Sequence, residues 1–95
     1  MRTRARVDAN HGAIVAALRR VGCNVLDLSR VGAGCPDLLV SCRRRGGLPD
    51  LLLMEVKTAK GKFSADQRKF EALGWPVFVA RSVEEALKIV GVDIR

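Results

Sequence analysis

Ninety-five residues with 48% apolar side chains can bury one small core and leave little room for a second module. Seventeen Lys and Arg against ten Asp and Glu give a formal charge of +7, which favours nucleic acid as partner ahead of an acidic protein or a membrane surface. No apolar run approaches a membrane span and the basic start "MRTRARVDANHG" lacks the apolar stretch of a secretory signal, so a soluble intracellular protein is expected.

The first predicted element is a helix. Asp8 can cap it, Ile14, Leu18 and Val21 recur at helical spacing, and Gly22 can stop it. "NVLDLS" reads as a first strand, "RVGAGCP" as a glycine-rich loop and residues 37–42 as a second strand. The basic turn "RRRGGLP" leads to the longest strand candidate, residues 50–58, "DLLLMEVKT". Its leucines fall on both faces, as expected for a sheet covered on both sides. After the loop "AKGKF", Ser64 and Gln67 stand at capping-box spacing before a helix ending near Gly74. "PVFVA" makes a fourth strand. Ser82 and Glu85 repeat the capping box before a last helix with Val83, Leu87 and Val90 on its apolar face and Gly91 as its stop. The expectation is an α/β fold of order α-β-β-β-α-β-α, a mixed four-stranded sheet flanked by helices, in one domain over residues 1–95.

Cys23, Cys35 and Cys42 show no CxxC spacing, and the sole histidine, His11, completes no common zinc set with them. They are expected to be buried structural thiols, and their odd number fits a reducing interior. Phe63, Phe70 and Phe78 read as core residues, and with Trp75 they offer little for base stacking.

Asp37 follows Pro36 at the head of an apolar strand, where a carboxylate costs free energy unless something pairs with it or a metal uses it. On the long strand, Glu55 and Lys57 share a face with Leu51 and Leu53, so the strand starts in the core and ends in a cleft. If the middle strands form an antiparallel hairpin in which Cys42 pairs with Asp50, the same register sets Asp37 opposite Glu55. Directly opposed Cα atoms lie about 4.5–5.5 Å apart, close enough for both carboxylates to bind one cation. Two carboxylates are hard oxygen ligands that leave positions for water and phosphate, which suits Mg²⁺, with Mn²⁺ as substitute, better than zinc. Lys57 is placed to hold the attacking water or to balance charge building on phosphorus. The chemistry implied is metal-assisted phosphodiester hydrolysis. Charged strand ends are common, and Glu55 with Lys57 alone would read as a solvated one.

Together, Pro36-Asp37 and Glu55-Val56-Lys57 resemble the PD-(D/E)XK nuclease superfamily, whose fold is restriction-endonuclease-like. More narrowly, "GAGCPDLLV", "LLLMEVKTAKGKFSADQRKF" and "VFVARSVEEAL" resemble the stand-alone virus-type replication-repair nuclease (VRR-NUC) domain, often phage-encoded and similar to Holliday junction resolvases. The resemblance runs from about Asp8 to Val90. It implies that Asp37 and Glu55 bind the metal, that Lys57 assists hydrolysis and that Gln67, in "SADQ", is a further active-site residue. It places the protein in the cytoplasm of a bacterial or phage-infected cell. Members often bring an acidic residue of the first helix towards the metal. Here Asp8 reads as a cap, and Asn10 and His11 are the nearer polar candidates.

Arg43, Arg44 and Arg45 form a positive patch at the hairpin turn, Arg2, Arg4 and Arg6 another, and Lys60 and Lys62 follow the catalytic strand. Each reads either as solvated charge or as phosphate contact, with the two lysines best placed for contact. The leading expectation is a metal-dependent DNA endonuclease selective for branched shape rather than sequence, with no small-molecule cofactor. Symmetric cutting of a four-way junction needs two sites, so a homodimer is expected. The alternative is a noncatalytic DNA-binding or assembly module of the same fold. An RNase, or a nuclease subunit of a larger replication or repair machine, is a third reading.

Overall fold

Proline and glycine punctuate this chain, and the elements between them follow the apolar spacing. The computed structural model describes residues 10–43 and 49–91. They form α1 (His11–Arg20), β1 (Asn24–Asp27), β2 (Leu38–Arg43), β3 (Pro49–Val56), α2 (Ala65–Ala72), β4 (Val77–Ala80) and α3 (Val83–Ile89). This is the expected α-β-β-β-α-β-α order. The sheet is mixed, with spatial order β1-β2-β3-β4; β1, β2 and β3 are antiparallel neighbours, and β4 returns parallel to β3 after α2.

The hairpin register is the one expected: Leu38 pairs with Met54, Val40 with Leu52 and Cys42 with Asp50. One face of the sheet carries the core. Leu38, Val40, Met54, Val56 and Ala80 are buried there against Ile14 and Leu18 of α1 and Ala86 of α3, with Val90 beyond its end. Full burial of such side chains stabilises by roughly 1.5–3 kcal/mol each, so this face holds most of the fold's free energy.

Coverage of the second face falls short of the expectation. Leu51, on that face, is 70% exposed, because α2 stands at the opposite end of the strand and buries none of its own residues. β4 begins only opposite Leu53, so among the described residues the earlier part of β3 has no strand neighbour on that side. Leu39, Leu51, Leu53, Trp75, Pro76 and Phe78 line an apolar groove of about 280 Å³ there. Phe78 is therefore exposed rather than core, Phe63 and Phe70 are half-buried, and Phe70 stacks on Trp75 with ring centroids 5.6 Å apart.

Element ends differ locally. Helix α1 starts at His11, with Asn10 at its N-cap; Asp8, the expected cap, lies outside the described residues. Val21 sits past the helix end and is exposed. β1 stops at Asp27, whose Oδ1 accepts the Ser29 N–H at 2.8 Å and turns the chain. β3 ends at Val56, leaving Lys57 and Thr58 just beyond it, although the Lys57 N–H still reaches the Ala80 carbonyl at 3.0 Å.

The cysteine expectation is corrected. Cys23 and Cys42 form a disulfide between residues 19 apart in sequence, and Cys35 alone is a free thiol. The β1–β2 register, Asn24 opposite Ser41, sets Cys23 beside Cys42 on the core face. No helix among the described residues is long and apolar enough to cross a membrane.

Candidate active site

The site is built where the β2–β3 ladder runs out. Pro36 has no N–H and cannot continue the pairing. The Lys57 N–H points to β4, so the Val56 N–H points the other way, towards β2, and the Asp37 carboxylate takes it: Oδ2 accepts at 3.0 Å. The Asp37 carbonyl accepts the Leu28 N–H at 2.7 Å, which ties the same residue to the chain leaving β1. Asp37 is thus held from two sides at the position that the register sets opposite Glu55.

Glu55 is 3% exposed and faces away from the core, on the side of α2. Lys57 Nζ lies 3.5 Å from Glu55 Oε2, and Gln67 Nε2 donates to the same oxygen at 2.7 Å. Burial, and then the Asp37 carboxylate, push the Glu55 carboxyl up to about 7, against the pull of the Lys57 ammonium. The Lys57 ammonium also stands 5.8 Å from the centroid of the Phe63 ring.

Gln67 reaches Glu55 because α2 is aimed by its first turn. Ser64 Oγ accepts the Gln67 N–H at 3.1 Å and Gln67 Oε1 accepts the Ser64 N–H at 2.8 Å, a complete capping box. The capping and site roles of Gln67 are filled at once by the two ends of one amide. Gly34 allows the approach: its φ is +78°, and a side chain there would collide with the main chain of Asp66 and Gln67. The glycine-rich loop is the seat on which α2 rests.

Cys35 is half-buried beside this site, and burial, then Glu55 and Asp37, push its thiol up, so it stays protonated. Of the candidates near the first helix, Asn10 and His11 are engaged elsewhere, and Asp8 lies outside the described residues. Asn10 Nδ2 donates to the Lys57 and Arg81 carbonyls, both at 3.0 Å. His11 is buried on the core side, with Nε2 4.0 Å from Asp27 Oδ2. Lys60 and Lys62 are exposed on the loop after Lys57. Arg44 and Arg45, the side chain of Arg43, and Arg2, Arg4 and Arg6 lie outside the described residues and groups.

Among the described residues no group of three or more His, Cys, Asp or Glu side chains is disposed to hold a metal ion. What the strands bring together is a carboxylate pair with a lysine and an amide. A carboxyl raised by burial and then by an acidic neighbour is a place where a cation relieves repulsion, so the donor set fits a hard divalent ion that keeps most of its water, and does not fit a closed zinc site. Compared with protein-family models, curated proteins and solved structures, the chain matches none.

Proposed function

We propose that this chain is a divalent-metal-dependent endonuclease that hydrolyses DNA phosphodiester bonds, selecting branched shape rather than base sequence. One observation carries the reading: the buried Glu55 carboxyl sits between Lys57 and Gln67, 3.5 and 2.7 Å away, and is raised by burial and then by Asp37 across the hairpin, on a chain of charge +7. A buried carboxyl facing a half-buried one is an uneasy pair in a protein that must approach a polyanion, and a bound cation would relieve it.

In this reading Asp37 and Glu55 hold Mg²⁺, or Mn²⁺ in its place. The ion supplies Lewis acidity towards the phosphate and its leaving oxygen. Gln67 fixes the orientation of the Glu55 carboxylate through Oε2. Lys57 offers its ammonium beside the same oxygen, where it can orient a water for attack and offset negative charge gathering on phosphorus. Lys60 and Lys62, with Arg43, Arg44 and Arg45, contact phosphates and make affinity fall with salt. Two such sites, related by a twofold axis in a homodimer, suit paired cuts in a four-way junction. The cytoplasm is the proposed compartment, with the Cys23–Cys42 disulfide an exception to the rule that thiols stay reduced there.

The test is cleavage of end-labelled four-way junction, flap, single-stranded and linear duplex DNA with Mg²⁺, Mn²⁺ or EDTA, for wild type and for Asp37→Ala, Glu55→Ala and Lys57→Ala. Metal-dependent cutting that is lost in all three variants supports the reading. Binding of every substrate with cleavage of none overturns it in favour of a noncatalytic DNA-binding module.

A further inference from the structure

Arg81, the residue after β4, would pass in a chain of charge +7 for one more phosphate contact. Its guanidinium is engaged elsewhere. Nη1 donates to the carbonyls of Thr58 and Gly61, both at 2.7 Å, with the Ala59 carbonyl at 3.5 Å. Three main-chain oxygens of the loop after Lys57 converge on one nitrogen. Arg81 is itself held by its own main chain: its N–H donates to Glu85 Oε1 at 2.7 Å, and its carbonyl accepts Asn10 Nδ2, which also bonds the Lys57 carbonyl.

The loop so gathered is the wall against which Lys57 lies. A methyl group at Gly61 would come within 3.3 Å of Lys57 Cδ, so the lysine stem runs directly over that glycine. Phe63, two residues on, faces the ammonium. The Gly61 N–H donates to the Thr58 carbonyl at 3.1 Å, closing the turn that Arg81 grips from outside.

We propose that Arg81 is a positioning residue: by clasping the 58–61 loop it holds Lys57 against Glu55 and sets the direction in which Lys60 and Lys62 project. Its catalytic consequence rests on the nuclease reading above. The requirement is geometric, not merely cationic. All three contacts are made by Nη1, at the end of a rigid planar group one atom longer than a lysine stem; an ammonium has donors enough, but ends short of that point on a flexible chain.

The experiment compares wild type, Arg81→Lys and Gly61→Val in two measurements: Mg²⁺-dependent cleavage kinetics on the best DNA substrate, and hydrogen exchange of the main-chain amide at position 61. Arg81→Lys keeps the charge and loses the reach and rigidity that place Nη1 among the three carbonyls. The expected result is faster exchange at position 61 and a kcat lower by about tenfold to a hundredfold, as for a small misplacement of a catalytic group, with KM little changed. Gly61→Val pushes the lysine stem while leaving the Arg81 side chain itself unchanged, and should lower kcat likewise. Unchanged protection at position 61 in Arg81→Lys, full rescue of turnover by lysine, or a rise in KM alone would overturn the clasp; the last two would make Arg81 an ordinary phosphate contact. If wild type cuts no DNA, the nuclease reading falls by itself, and the exchange measurement still decides whether Arg81 holds the loop.

Discussion

Gln67 Nε2 donates to Glu55 Oε2 at 2.7 Å while Oε1 of the same amide accepts the Ser64 N–H at 2.8 Å, so one side chain closes a helix cap and orients a buried carboxyl. Gln67→Leu removes both bonds. Loss of capping contacts costs on the order of 1 kcal/mol, and cleavage should fall further than that destabilisation explains. Gln67→Glu keeps an acceptor for Ser64 and sets a second carboxylate against Glu55. It should retain the helical circular dichroism of wild type and still cut more slowly, which would separate the two duties of Gln67.

Glu55 sets the pH dependence of the metal-free protein. Its carboxyl is raised from an ordinary 4.5 to about 7 in the folded chain, so the folded state holds the proton more tightly than the unfolded one. The stabilisation is complete below about pH 4.5 and is lost as pH rises through 7. The loss should be on the order of 2–3 kcal/mol between those limits. Glu55→Gln removes the titration. Its thermal midpoint should exceed that of wild type at pH 8 in EDTA by several degrees, with cleavage abolished. In wild type, Mg²⁺ should recover part of that difference. Equal midpoints at pH 8 would contradict the raised carboxyl.

Asp37 contributes a charge and a hydrogen-bond acceptor, and two substitutions divide them. Asp37→Asn can still accept the Val56 N–H through its amide oxygen and should fold like wild type with cleavage lost. Asp37→Ala leaves that donor at the strand end without its partner, at a cost of about 1–3 kcal/mol, and should lower the denaturation midpoint as well. Urea titration of the two variants beside wild type checks the split.

Gly34→Ala tests the seat of α2. The added methyl meets the main chain of Asp66 and Gln67, and the φ of +78° disfavours any L side chain, so the helix must shift. A loss of at least about 1–2 kcal/mol is expected, together with a fall in cleavage as Gln67 moves off Glu55. Gly22→Ala, at φ +95° with open space around it, should destabilise without the same loss of activity.

The Cys23–Cys42 bond lies on the core face, several residues along β2 from Asp37 and on the far side of the sheet from Glu55. Closing a loop of 19 residues stabilises by about 3 kcal/mol in the chain-entropy account. Intact mass with and without reductant should differ by two hydrogens, and the reduced protein should unfold at lower temperature while its folded form cuts at the wild-type rate.

Much of the candidate site was legible because strand geometry is periodic. Placing Cys42 opposite Asp50 sets Asp37 opposite Glu55, and the observed ladder keeps that register at every pair. Ser64 with Gln67 announced its cap through side-chain type and spacing. The same arithmetic applied to Asn24 and Ser41 would have paired Cys23 with Cys42, but nothing within the short β1 segment fixes its register. The bare second face was hidden for another reason: alternating leucines look alike whether or not a helix covers them, and coverage depends on where α2 comes to rest. Arg81 gave no signal, since three converging carbonyls belong to the main chain and leave no trace in residue identity.

The hairpin register also has a consequence for how this chain can change. Along β3, Met54 and Val56 are buried against the helices, while Glu55 between them belongs to the site. Insertion or deletion of one residue upstream in that strand would exchange the two sets, sending a carboxylate into the hydrocarbon interior and a thioether into the cleft. Length within β3 is therefore fixed more firmly than composition, and natural variation in this hairpin should collect between β2 and β3, outside the paired residues, where an added residue leaves the alternation intact.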